Sequence, residues 1–353
     1  MQTESSQSHI YFQSLDGLRV VAALSIAVFH FYDQWAGYLA VEFFFMLSGF
    51  LFAHGYLSRN KVLTLRSYAQ RRFARLYPMH LFSLVVFVLV YWLIDGGLPS
   101  YADGTLTSFV SHLFMMHGIG LNPHGLTWNY PSWAISVELW VGAAAFFLVS
   151  AGLRLRVLLS ISLVCLLVMY LAVGNLSGTY QNISGFLNAG LLRGLSAFLL
   201  GIMSYAIFLR YRKTVWSRFE SNRLEMLILL AILLVVFGRT DVVSKLDFFA
   251  PFLFMTGIAV FATENGYLSA LVAQLSGWSM LSYSIYLNQA MMIMVVERIF
   301  SQYNDNPIFP LLTYLSMLIF YSYMTHYLVE RPARAFLSIR HQRNMSVCPK
   351  RNI

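Results

Sequence analysis

Ten apolar runs, each sixteen to twenty-three residues long, succeed one another at about 15–33, 38–57, 76–94, 130–151, 156–174, 187–209, 223–238, 247–264, 279–299 and 307–329. A helix rises about 1.5 Å per residue, so runs of this length match a hydrocarbon core about 30 Å thick. Lipid offers the backbone no hydrogen-bond partners, and a continuous apolar run satisfies its own N–H and C=O groups as a helix. The expected fold is an all-α polytopic membrane protein of about ten transmembrane helices. Composition agrees, with 58% hydrophobic and 11% charged residues, where a soluble domain carries about 25% charged. Residues 15–336 read as one membrane domain, between a short segment at 1–14 and a basic tail at 337–353. The first thirteen residues lack the charged start and cleavage site of a signal peptide, so the first run is expected to be retained.

The net charge of +9 could point to nucleic acid, but its placement does not. Most Lys and Arg lie after the second, fourth and sixth runs and in the tail, among them Arg59, Lys61, Arg154, Arg156, Arg210, Lys213, Arg340, Arg343, Lys350 and Arg351. Arg239, Lys245 and Arg298 fall on the other side, and none occurs from Leu76 to Leu153. The positive-inside rule then puts both termini in the cytoplasm and the long 95–129 loop outside, with anionic lipid headgroups as the partner of the basic charge. Within that loop, SFVSHLFMMHGIG is too short to span and reads as a re-entrant or surface helix. Cys165 and Cys348 offer neither a disulfide framework nor a thiol metal site. His54, His80, His112, His117, His124 and His326 show no metal spacing, and no metal is expected.

Charged residues inside spans cost about 2.5–3.5 kcal/mol each and therefore face protein or a cavity. In LDGLRVVAALSIAVFHF, Arg19 and His30 are eleven residues apart. That spacing is about three turns plus 20°, so they share a face about 16.5 Å apart. Glu42 in VEFFFMLSGF and Glu138 in PSWAISVELW are expected at the depth of His30. A carboxylate beside an imidazole raises its basicity and holds its tautomer, which suits a general base. Arg72 and Arg75 in RRFARLYP stand three apart on one helix face, a spacing that suits phosphate. Glu42, Arg193 and the aromatic Trp128 and Trp133 are candidates for contact with a substrate outside. Gly194 and Gly201 read as close helix contacts, while Ser48–Gly49 suits either close packing or a channel wall. A proton-coupled transporter is the alternative, with Arg19, Glu42, Glu138 and His30 as a relay. The chain lacks the similar halves and paired interrupted helices of such transporters.

The opening LDGLRVVAALSIAVFHF and VEFFFMLSGFL, followed in order by RRFARLYP, SWAISVELW, GLLRGLSAFLLGIM, SYSIYL and YLVERPAR, resembles the acyltransferase-3 family of integral-membrane acyltransferases. The likeness runs from about residue 11 to 336. It implies O-acetylation of an extracytoplasmic glycan or lipid-linked oligosaccharide (a polysaccharide or lipopolysaccharide, for example) in the bacterial cytoplasmic (inner) membrane, with acetyl-CoA as donor. Its motif positions correspond to Arg19, His30, Arg72, Arg75 and Glu138. Many members carry a histidine after the SYSIYL-like stretch, where this chain has Asn288 and Gln289.

On that resemblance, the nucleotide phosphates would dock on Arg19, Arg72 and Arg75. The pantetheine arm would pass Ser48, Gly49, Tyr283 and Tyr286. His30, oriented by Glu138, would act as general base or accept the acetyl group itself. Asn129, Trp133 and Ser136 are the expected oxyanion donors.

Overall fold

The computed structural model describes residues 10–57, 64–101, 104–121, 125–212, 217–238, 241–300 and 308–337. Arg59, Lys61, His124, Lys213, Arg239, nearly all of the basic tail and most of the N-terminal segment lie outside the described residues.

The described chain is built almost wholly of helices. They are α1 (Gln13–Tyr32), α2 (Ala40–Leu57), α3 (Leu65–Asp95), α4 (Thr105–Leu113), α5 (Trp133–Ser150), α6 (Leu155–Ala172), α7 (Ala189–Tyr211), α8 (Arg218–Phe237), α9 (Ala250–Phe261), α10 (Tyr267–Ala273), α11 (Ser282–Phe300) and α12 (Ile308–Thr325). One small hairpin pairs Asn182–Ser184 with Leu187–Asn188 in antiparallel fashion. A π-helical turn over His326–Glu330 carries α12 onward to Leu337.

Eight of these helices, α1, α2, α3, α5, α6, α7, α11 and α12, are long and apolar enough to cross a membrane. The ten-span expectation is met by eight such helices and two that fall short. The seventh run became α8, whose first two turns carry Arg218, Glu220, Arg223 and Glu225. The eighth became α9, only 12 residues long, or about 18 Å.

Local chemistry sets the helix ends. The Thr64 hydroxyl accepts from Ser67 N at 3.3 Å to start α3, and Gly96 ends it in the left-handed region at φ 71°. Ser217 and Glu220 form a reciprocal capping box on α8. The cap at Thr64 lies well before the apolar run at 76, so Arg72 and Arg75 stand on a helix already formed and not in a loop.

The core is centred on α2 against α7, and α1 is flanked by α2, α10 and α11. Gly49 and Gly201 set the α2–α7 approach. A Cβ at Gly49 would lie 1.9 Å from Phe198 O, and one at Gly201 would lie 2.0 Å from Met46 O. Close packing is therefore the role of Gly49 as well as of Gly201.

The loop after α3 folds back against that helix. His112 and His117 stack with ring centroids 3.7 Å apart, and His117 stacks in turn on His80 of α3 at 5.6 Å. His80 lies fifteen residues before the end of α3, about 22 Å down its axis. The Asn129 amide donates to Ser83 Oγ at 3.1 Å and to Leu287 O at 2.9 Å, pinning the loop between α3 and α11. Helix α5 therefore begins well below the outer end of α3.

Candidate active site

A cavity of about 600 Å³, its open mouth included, is lined by Arg19, Ser48, Arg75, Glu138, Tyr283 and Tyr286 among apolar side chains. Five helices supply this wall: α1, α2, α3, α5 and α11. The sequence expectation thus holds for the meeting of Arg19, Arg75, Ser48, Tyr283 and Tyr286 around one space.

The two lining cations are not equivalent. Arg19 Nη1 lies 3.3 Å from Asp16 Oδ1, one turn back on α1, and its buried Nε has no partner. Arg75 makes no hydrogen bond or ion pair with any described residue. It stays a free guanidinium on the cavity wall. A buried cation without a hydrogen-bonded counter-ion is costly, and an incoming anion relieves that cost.

Arg72 and Glu138 depart from the expected arrangement. Arg72 Nη1 donates to Glu138 Oε1, and Ser48 Oγ donates to the same oxygen at 2.7 Å. Glu138 thus holds Arg72 and Ser48 rather than orienting His30, and Arg72 is already paired. The reason is depth. Because the re-entrant loop lowers the start of α5, Glu138 reaches the level of Arg72. It lies eight residues beyond Tyr130, whose ring meets the His30 ring edge-on at 5.3 Å, so Glu138 is about 12 Å below His30.

His30 itself is buried on one side. Its Nδ1 is sealed without a partner, while the residue keeps partial exposure. Phe29 and Tyr130 flank the ring, and the Gln289 side chain adjoins it. The cavity stops short of His30. His30 is not among its lining residues, whereas Phe44 and Tyr286, whose rings lie 6.2 Å apart, are. The Tyr286 hydroxyl is buried and unpartnered.

A model of the family described as an acyltransferase domain matches residues 12–346. The chain belongs to the acyltransferase-3 family. Among curated proteins, it is 34% identical over 96 residues to the peptidoglycan O-acetyltransferase OatA of Listeria monocytogenes, 26% of this chain and 15% of that protein. It is 30% identical over 188 residues to the putative peptidoglycan O-acetyltransferase YrhL of Bacillus subtilis, 46% of this chain and 29% of that one. With the acyltransferase MdmB of Streptomyces mycarofaciens it shares 34% identity over 145 residues, 35% of this chain and 36% of that one. The chain spans 15% to 36% of the length of these three relatives. No solved structure matches it.

In this acyltransferase-3 chain the residues expected to meet an outer substrate are instead parts of its framework. Arg193 Nε donates to Glu42 Oε1, and Arg193 Nη2 donates to Tyr38 O at 2.8 Å. Only 2% of the Arg193 side chain and 1% of the Glu42 side chain is exposed, so Glu42 does not reach the headgroups. The Trp133 ring covers the Arg193 guanidinium at 5.5 Å. Trp128 is buried between Tyr101 and Phe109. The expected oxyanion donors are also engaged. Ser136 Oγ donates to Met115 O at 2.6 Å, Asn129 is held as described above, and Trp133 is buried against Arg193 and Phe45.

Three features escaped sequence reasoning. Asp247 is wholly buried and accepts from Tyr38 Oη at 2.7 Å and Leu176 N at 2.9 Å. Glu330 is buried and accepts from Ser284 Oγ at 2.9 Å and Arg334 at 2.8 Å, with His326 Nδ1 at 3.0 Å. Charged residues inside apolar runs were the available signal; the partners of Asp247 are remote in sequence, whereas Glu330 also pairs with His326 and Arg334 one turn away. The third is the loop histidine stack, where burial pushes the His117 imidazole down to about 3 and His112 well below the ordinary histidine range.

Proposed function

We propose that this chain transfers an acetyl group from cytoplasmic acetyl-CoA to a hydroxyl of an extracytoplasmic glycan, from within the bacterial cytoplasmic membrane. The observation that carries the reading is the open cavity whose wall holds the unpaired Arg75 beside Arg19. Its cationic groups and apolar throat fit a polyanionic nucleotide with a thin arm ending in a thioester. The relatives called peptidoglycan O-acetyltransferases support the acetyl group and the glycan class of acceptor.

The nucleotide phosphates pair with Arg75 and Arg19, while Arg72 stays with Glu138 and shapes the wall. The arm extends past Phe44 and Tyr286 toward His30. The imidazole takes the proton of the sugar hydroxyl as its oxygen attacks the thioester carbonyl. The C–S bond breaks, the new ester forms, and the imidazolium returns the proton to the CoA thiolate. Such assistance contributes about 10²–10⁴-fold. The free Tyr286 hydroxyl is the donor for the developing oxyanion.

The test uses full-length protein in lipid nanodiscs with labelled acetyl-CoA and peptidoglycan fragments. CoA release coupled to acetylated product, lost in His30→Ala, is expected. Wild-type protein that binds acetyl-CoA no more tightly than Arg75→Ala would refute the reading. Rapid quench without acceptor separates the two routes, because stable label on wild type but not on His30→Ala means an acetyl-imidazole. Mass spectrometry of surface glycans with and without the gene identifies the sugar that gains an acetyl group.

A further inference from the structure

The lower nitrogen chemistry of His30 has an unused partner next to it. Gln289 is wholly buried on α11, one turn beyond Tyr286. Its Nε2 donates to Tyr286 O at 2.9 Å. A backbone carbonyl can only accept, so the NH₂ end of the amide must face Tyr286 and the oxygen end must face away from it. That oxygen, Gln289 Oε1, is sealed from solvent and has no partner. His30 Nδ1 is likewise sealed and has no partner, and the two side chains adjoin. The rings of Phe29 and Tyr130 also meet the imidazole, at centroid distances of 5.2 Å and 5.3 Å. Asp33, at the end of α1, is exposed.

A buried amide oxygen beside a buried ring nitrogen can be satisfied in one way, with the proton on the nitrogen. We infer that Gln289 is the positioning residue for His30, its Oε1 accepting from Nδ1–H so that the Nε2 lone pair is left for the acceptor hydroxyl. Tyr286 is part of the same device, because its carbonyl sets which end of the amide reaches the imidazole. An amide does this without a charge of its own. The inference deepens the reading of His30 as general base and rests on it for its catalytic meaning. The tautomer itself can be read without any turnover.

Full-length protein carrying ring-¹⁵N histidine is studied in nanodiscs, and the signals missing from His30→Gln assign His30. Wild type is expected to show Nδ1 protonated and Nε2 as the bare, pyridine-type nitrogen. Gln289→Met keeps the size and removes the acceptor, and should shift His30 toward the Nε2–H form. It should also lower kcat for acetyl transfer about tenfold or more with the KM for acetyl-CoA unchanged. Gln289→Glu keeps an acceptor oxygen and should keep the Nδ1–H form. An Nε2–H tautomer in wild type, or a Met variant with unaltered tautomer and kcat, overturns the inference. The wild-type and Gln289→Glu spectra decide it even if Gln289→Met folds poorly. Wild type that holds Nδ1–H but transfers no acetyl group would uphold the pairing and refute the proposed function instead, so the two failures are distinct.

Discussion

The two halves of the bundle handle buried charge in opposite ways. In one, Arg193 and Glu42 close on each other under Trp133, and Asp247 is held by Tyr38 and a backbone N–H. Around the cavity, Arg75 makes no hydrogen bond or ion pair with a described residue, the nearby Glu138 carboxylate being taken by Arg72, and Arg19 keeps an unpartnered Nε. A satisfied charge locks helices together. An unsatisfied one beside an open space is held ready for a ligand. Type and depth of residue do not distinguish these roles, since both regions use arginines on membrane helices. Commitment of the side chain does.

The contrast is sharpest at His30, which joins neither cluster. His30→Ala is expected to lower acetyl transfer by about 10²–10⁴-fold with little change in thermal unfolding in nanodiscs. Equal loss of folding would make His30 a framework residue instead. Glu42→Ala strands the Arg193 charge in the core and should destabilise the protein by about 3–5 kcal/mol, seen as a lowered Tm. The double change Glu42→Met with Arg193→Met should recover most of that loss, because no charge is left buried. Arg75→Ala should do the reverse, leaving Tm unchanged or raised while acetyl-CoA affinity falls by about 1.5–3 kcal/mol, the worth of a charged hydrogen bond. Arg72→Ala should lower both, because it strands Glu138.

The smallest effect concerns the loop stack, whose histidines are buried neutral. The folded His117 value lies below the unfolded one of about 6.5. Docking of the loop is therefore complete above pH 6.5 and weakens as pH falls from there toward 3. Hydrogen exchange of residues 104–121, corrected for intrinsic rate, should accelerate by up to about tenfold per pH unit over pH 6.5 to 5.5. Replacement of His117 by Gln should flatten that slope.

Much of the bundle was legible in the linear chain. Apolar runs of bilayer length become helices almost regardless of neighbours, because an unpaired backbone in lipid is too costly. The runs at α8 and α9 did form helices, one with charges in its first turns and the other only 12 residues long. The shared face of Arg19 and His30 was legible from helical period, and so was the setting of Arg72 and Arg75 on one helix. The partner of Glu138 was not. Counting turns from the outer end of its run assumed that the run starts at the membrane surface, and the re-entrant loop places it deeper. Gln289 was noted only for standing where relatives carry a histidine, and nothing along the chain tells that its oxygen lies beside an imidazole.

By itself, then, the sequence determined a helical membrane bundle, its family, and the inventory of charges that the bundle must accommodate. Backbone satisfaction and helical period are local rules, so they act on each run in isolation. Which charge meets which was decided only by tertiary packing. Glycine contacts such as Gly49 with Gly201 set how closely α2 and α7 approach, and the inward fold of the outer loop sets the level at which α5 begins. An ion pair forms across a few ångströms between residues 66 to 151 apart in the chain, and a distance of that kind exists only once the helices have packed.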